Sequence, residues 1–184
     1  MGNNKGKWDK YYNDLKDRDH YIDSDSYRVG ASYLSDCETV EDWGCGKGWF
    51  ALVAKEYQIE VIGIDGSNTP FADKVVDLED YTSKVEGIFM RSVAEHNFEW
   101  EKILRNLCVS FTKKAFVQFY TPMNYNTDEG ILIQLSPGYD NIPEISIPVN
   151  VWHNILLEND IDFKVLKVDS PLVYGEETYY FLTK

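Results

Sequence analysis

Val40-Glu41-Asp42-Trp43-Gly44-Cys45-Gly46-Lys47-Gly48-Trp49-Phe50 holds the strongest local signal in the chain. A short apolar run stops at three closely spaced glycines and resumes with apolar residues, which reads as strand, turn and helix. Glycine at 44 and 46 removes the Cβ atoms that would keep a ligand away from backbone N–H groups. A helix beginning beyond Gly48 favours an anion, phosphate or carboxylate. The spacing is GxGxG, with Asp42 two residues before the first glycine. A dinucleotide fingerprint would place its third glycine at Trp49, and no GK[ST] follows for a P-loop. Taken alone, the glycines fit a bare tight turn equally well.

The next apolar run, Val61-Ile62-Gly63-Ile64, ends at Asp65. A carboxylate about 20 residues after the first glycine, at the end of the following strand, can accept hydrogen bonds from both ribose hydroxyls of a nucleoside. Asp65-Gly66 is also a common turn pair, but the two features together favour a nucleoside site.

Working outward, helices and strands alternate. Trp8, Tyr11, Tyr12 and Leu15 recur at helical spacing, and Ser24 or Asp25 caps a second helix reaching about Leu34. Thr39-Val40-Glu41-Asp42-Trp43 is the first strand, followed by a helix over 49–57. Lys74-Val75-Val76 and Gly87-Ile88-Phe89-Met90 are the third and fourth strands. A helix over 98–108 leads to the fifth, Ala115-Phe116-Val117-Gln118-Phe119-Tyr120. Strands separated by helices imply parallel pairing with right-handed crossovers. A helix over 151–159 precedes Phe163-Lys164-Val165-Leu166-Lys167-Val168 and Thr178-Tyr179-Tyr180-Phe181-Leu182, which lack a helix between them and are expected as antiparallel neighbours. No element is assigned within 121–148 apart from the apolar Ile131-Leu132-Ile133. No repeat or linker divides the chain, so 1–184 is read as one domain with 1–35 as an N-terminal helical or lid segment. The expected class is α/β: a doubly wound, Rossmann-like sheet, mostly parallel, closing on an antiparallel C-terminal strand.

Bulk properties exclude several functions. The chain has 184 residues and a formal net charge of −13. That field repels a phosphate backbone, and Lys113-Lys114 is the one adjacent basic pair, so nucleic acid is not an expected partner. No apolar stretch reaches bilayer length, and residues 1–7 lack the apolar core of a signal peptide. Gly6 stands where a myristoylation signal requires Ser or Thr. Cys37, Cys45 and Cys108 are far apart and form no CxxC, which suits a reducing cytoplasm and supplies neither a disulfide framework nor a metal site.

The sequence resembles the class I S-adenosylmethionine-dependent methyltransferases, in their small-molecule branch. The resemblance is carried by Val40-Glu41-Asp42-Trp43-Gly44-Cys45-Gly46-Lys47-Gly48, by Val61-Ile62-Gly63-Ile64-Asp65-Gly66-Ser67, by Asp77-Leu78, and by Arg91-Ser92-Val93-Ala94-Glu95-His96. It implies S-adenosyl-L-methionine as cofactor. Gly44 and Gly46 would line its methionine moiety, with Asp42, Cys45 and Gly66 among the contacts, and Asp65 would hold the ribose. Asp77 would accept from the adenine amino group, Leu78 would pack on the base, and a carbonyl near Arg91 would meet the ammonium. The aromatic start, Trp8-Asp9-Lys10-Tyr11-Tyr12, resembles a leading segment that folds over the cofactor, with Tyr12 at its methionine end. The chain departs from the family between Asp65 and Lys74 and between Leu78 and Gly87, where crossover helices must be stunted or absent.

A cofactor of net charge +1 suits an acidic host, and in-line methyl transfer gains most from holding donor and acceptor in near-attack geometry. A hydroxyl acceptor also needs a proton removed. His96, in the loop after the fourth strand, is the candidate base, with Glu95 the second; a capping or loop-bonding role is the alternative for each. His153 is expected to be structural, and His20 to belong to the N-terminal segment. Thr121-Pro122-Met123-Asn124 is no NPPY-type tetrapeptide, and no acidic metal set of the catechol type is present. O-methylation of a small molecule or saccharide is the leading expectation. A non-catalytic nucleoside-binding protein and a nicotinamide-dependent oxidoreductase are the alternatives. Oligomeric state is not legible.

Overall fold

The computed structural model describes residues 6–14, 25–136, 142–171 and 173–184. Leu15, His20 and Ser24 lie outside them. Five strands run parallel: β1 (Thr39–Trp43), β2 (Glu60–Asp65), β3 (Lys74–Val75), β4 (Val85–Arg91) and β5 (Phe111–Phe119). Of the last two strands in this sheet, β8 (Asp162–Asp169) and β9 (Glu176–Thr183), β9 inserts antiparallel beside β5, pairing Val117 with Tyr180, and β8 closes the edge. The order is β3-β2-β1-β4-β5-β9-β8. Winding reverses between β1 and β4, the switch point at whose carboxyl side open α/β sheets place ligands.

Both faces of the central strands are covered, which is why β1 and β4 read as near-continuous buried runs. On one face α2 (Asp25–Tyr33) and α3 (Trp49–Ala54) pack over Val40, Phe89 and Phe116. Phe50 stacks on Phe89 with ring centroids 3.9 Å apart. Gly30 in α2 permits this approach, since a Cβ there would lie 2.5 Å from the Phe89 ring. On the other face α4 (Trp100–Ser110) and α5 (Val149–Glu158) cover Trp43, Ile88, Met90, Val117 and Leu182. The helix expected over 49–57 ends at Ala54 and tightens into a 3₁₀ turn, Lys55–Tyr57, closed by Gln58 at φ 59°. His153 in α5 meets the Tyr180 hydroxyl at 3.1 Å, far from the switch point, as a structural histidine would.

Two features set this chain apart. The connections from β2 to β3 and from β3 to β4 carry no helix. In place of a crossover helix, buried Glu41 of β1 pins loop 76–84 to the sheet: Trp43 Nε1 (2.9 Å), the Tyr81 hydroxyl (2.8 Å) and Ser83 Oγ (2.7 Å) all donate to its carboxylate. The unassigned stretch after β5 contains a hairpin, β6 (Ile131–Leu135) paired antiparallel with β7 (Pro143–Ser146). Strand β7 is buried, whereas every residue of β6 is exposed. A short helix, α1 (Asp9–Asp14), lies at the carboxyl edge of the main sheet.

Candidate functional site

Gly44, Gly46 and Gly48 adopt φ of 79°, 51° and 70°, a left-handed backbone that L side chains disfavour. A Cβ at Gly44 would lie 2.3 Å from Val93 Cγ2, and one at Gly46 would lie 3.0 Å from the Tyr12 hydroxyl. The glycines thus bring β1's end close to the loop after β4 and to α1. The amides behave differently from the expectation that they face a ligand. Gly44 and Cys45 donate to the Ile64 carbonyl (2.8 and 3.1 Å), Gly48 to the Cys45 carbonyl (2.8 Å), and Gly46 to Asp65 Oδ2 (2.9 Å). A turn this tight satisfies its own donors, so it offers a ligand close backbone approach more than free N–H groups.

Asp65 ends β2 directly beside this turn and is 3 % exposed. Its Oδ1 accepts from Ser67 N (2.8 Å), and the Tyr12 hydroxyl donates to the same carboxylate. Burial pushes Asp65 upward against these bonds. Asp42, wholly enclosed nearby, is driven well above the usual carboxylate range by burial and by the Asp65 charge, with Arg91 opposing. Two carboxylates therefore share one desolvated region, an arrangement a cationic ligand would relieve.

The remaining expected residues surround this pair unequally. The Gly66 carbonyl accepts from the Gly6 amide (2.9 Å). Cys45 is buried, and burial holds its thiol protonated. Arg91 sends its side chain toward α2, donating to Ser26 Oγ (2.8 Å) with its guanidinium 5.1 Å from the Tyr27 ring centre. Asp77 Oδ1 accepts from the Glu79 amide in its own turn (3.0 Å). Leu78 packs in the main core, with Asn106 Nδ2 donating to its carbonyl (2.9 Å).

After β4 the chain makes a 3₁₀ turn, Ala94–His96. Glu95 Oε1 accepts from the Tyr120 amide (3.0 Å); Oε2 is buried without a hydrogen-bond partner among the described residues. Burial pushes Glu95 up to about 7. His96 Nδ1 lies 3.0 Å from the Pro143 carbonyl. A carbonyl only accepts, so Nδ1 carries the proton and Nε2 keeps its lone pair. Burial lowers His96 to about 4, leaving the ring neutral and weakly basic at pH 7.

Residues that the sequence did not single out complete this edge. The Tyr120 ring lies 5.2 Å from His96 and 5.6 Å from the Tyr174 ring. Glu144 of β7 receives the Tyr174 hydroxyl, Gln134 Nε2 (2.8 Å) and Ser136 Oγ (3.1 Å). Burial raises its carboxyl, but these bonds outweigh burial and hold it below its usual value. Tyr120 was legible in principle as the residue ending β5 at the ligand edge; Glu144 carries no local signal. The Trp8 ring meets His96 edge-on at 4.9 Å, and Lys7 Nζ donates to the His96 carbonyl (2.8 Å).

No protein-family model matches the sequence, and no curated protein matches it. Solved structures do match across most of the chain. A Burkholderia thailandensis 1,6-didemethyltoxoflavin-N1-methyltransferase, solved with that compound and S-adenosylhomocysteine, shares 12% identity at a TM-score of 0.72, covering 96% of this chain and 85% of its own. Magnesium protoporphyrin IX methyltransferase from Synechocystis PCC 6803, with bound S-adenosylhomocysteine, shares 13% at 0.64, covering 97% and 93%. The N-terminal domain of EvdMO1, crystallised in the presence of S-adenosylhomocysteine and D-fucose, shares 8% at 0.63, covering 100% and 99%. At such identities the likeness shows the fold alone, the one that these two methyltransferases and the EvdMO1 domain, all crystallised with S-adenosylhomocysteine, share.

Proposed function

We propose that this chain is an S-adenosyl-L-methionine-dependent methyltransferase acting on a small molecule or saccharide, with a hydroxyl oxygen as acceptor. The observation that carries the proposal is the junction of the glycine turn with Asp65 at the switch point, Gly46 N to Asp65 Oδ2 at 2.9 Å. The residues present fit the cofactor. Asp65 supplies a carboxylate at the end of β2 suited to hydroxyl donors, with Asp42 buried beside it and burial raising both, a burden that a nearby cation would relieve. Asp65 would take the ribose, Asp77 the adenine amino group, and Gly44, Cys45, Gly46 and Gly66 the flanking surface. When bound, the cofactor supplies an electrophilic methyl group.

The chain's own part is to hold an acceptor in line and manage its proton. In this reading His96 Nε2, which keeps its lone pair, accepts a hydrogen bond from the acceptor hydroxyl. Glu95, titrating near 7 with an unengaged oxygen, is the better-tuned proton acceptor of the two. Glu144 with Tyr120 and Tyr174 forms a polar wall on the same side. The D-fucose present with the EvdMO1 domain and the heteroaromatic compound bound by the Burkholderia enzyme both support a small acceptor. A methyl-transfer screen over hydroxylated metabolites and sugars tests the proposal. The expected outcome is turnover that falls at least tenfold in His96→Ala; undiminished turnover removes His96 from the mechanism. Binding without turnover of any acceptor would favour a non-catalytic nucleoside-binding role, a reading to which the weak basicity of His96 lends support.

A further inference from the structure

Residues 6–14 lie along the carboxyl edge of β2 and β4 and engage it almost residue by residue. The Gly6 amide donates to the Gly66 carbonyl (2.9 Å), the Trp8 amide to Ser67 Oγ (3.1 Å), and the Asn68 amide to Asp9 Oδ1 (3.2 Å). Lys7 Nζ reaches the His96 carbonyl (2.8 Å) in the electrostatic field of Asp77 and Glu79. Trp8 covers His96, and the Tyr12 ring sits over Gly46 with its hydroxyl donating to Asp65. Gly46, Asp65, Gly66 and Asp77 are among the residues through which the proposed function holds an adenosyl group.

The decisive count is at Asp65. An ionised carboxylate offers about four acceptor positions. Gly46 N (2.9 Å), Ser67 N (2.8 Å) and the Tyr12 hydroxyl take three of them. Two of these donors are backbone amides fixed by the turns around Asp65; Tyr12 is the one on a separate segment. A phenol and a ribose hydroxyl are equivalent as O–H donors.

We propose that the segment 6–14 is an intramolecular competitor of the adenosyl group, with the Tyr12 hydroxyl holding the place on Asp65 that a ribose hydroxyl takes, so that cofactor enters as the strap leaves. The inference rests on the methyltransferase reading above. It sets a sign that a lid closing over bound cofactor would reverse. Affinity for the open form is diluted by the closed fraction, so weakening the strap tightens binding.

The test titrates S-adenosylhomocysteine calorimetrically into the full-length chain, its Tyr12→Phe variant and its Trp8→Ala variant. Loss of one hydrogen bond at Tyr12 predicts roughly fivefold tighter binding, with a change of the same sign for Trp8→Ala. Amide exchange at Gly6 and Trp8 of the wild type is expected to accelerate when S-adenosylhomocysteine is added. Unchanged or weaker binding by both variants, or slower exchange at Gly6 and Trp8, overturns the strap while leaving the methyltransferase reading in place. Absence of binding by every form overturns both.

Discussion

Glu95 and His96 are neighbours with opposite titration behaviour, and the pair makes a sharp claim about pH. His96 sits near 4 in the fold against an ordinary 6.5, because burial opposes its charge. Between those values the unfolded chain binds more protons, so the His96 contribution to stability is lost as pH falls through that window. Glu95 sits near 7 against an ordinary 4.5, also from burial. There the native state binds more protons, so stability declines as pH rises from about 4.5 to about 7. The two slopes oppose each other across their shared range. Glu95→Gln removes one of them. Relative to wild type, the variant is expected to gain on the order of 3 kcal/mol between pH 4.5 and pH 7. Urea unfolding at the two pH values checks this; a stability difference independent of pH would show that Glu95 is not held protonated by the fold. At this scale the sequence showed residue types and positions, and the carboxyl edge followed from Asp65 closing an apolar strand and His96 lying in the loop after the fourth. It did not show that the glycine turn consumes its own amides, because those partners, Ile64 and Asp65, lie across a strand pair.

At the scale of elements, the parallel strands were legible from short apolar stretches such as 61–64, 87–90 and 115–117, which form partly or wholly buried parts of β2, β4 and β5. The glycine turn was legible because left-handed backbone leaves a compositional mark. The hairpin β6–β7 was not. Strand β6 exposes Ile131, Leu132, Ile133 and Leu135, while buried β7 contains Glu144 and Ser146, so local hydropathy runs against burial. The stunted crossovers were visible as short spacings, but what replaced them was not: nothing local to Glu41 marks it as the buried anchor of loop 76–84. Glu41→Ala leaves the Trp43 indole and the Tyr81 and Ser83 hydroxyls without their acceptor. Its expected cost is about 3 kcal/mol, with amide exchange of residues 76–84 rising more than that of β4. Stability within experimental error of wild type, and an unaltered exchange pattern, would mean that the loop is held by other contacts.

For the whole molecule, the strand order and the reversal between β1 and β4 bring the ends of β1, β2, β4 and β5 to one edge. The same edge carries two desolvated carboxylates, a neutral histidine and a polar wall around Glu144. A net charge of −13 favours a cationic ligand there over an anionic one. On the proposed reading, fold and charge together favour a positively charged adenosyl compound over a dinucleotide, whose pyrophosphate would meet buried carboxyl groups and a turn with its amides already engaged. The most direct measurement is a calorimetric titration of the wild type and Asp65→Asn with S-adenosylmethionine and, separately, with NAD. The account predicts that S-adenosylmethionine binds the wild type, that Asp65→Asn weakens this binding at least tenfold, and that NAD gives no heat of binding. Binding of NAD alone, or equal S-adenosylmethionine affinity in both proteins, would contradict it.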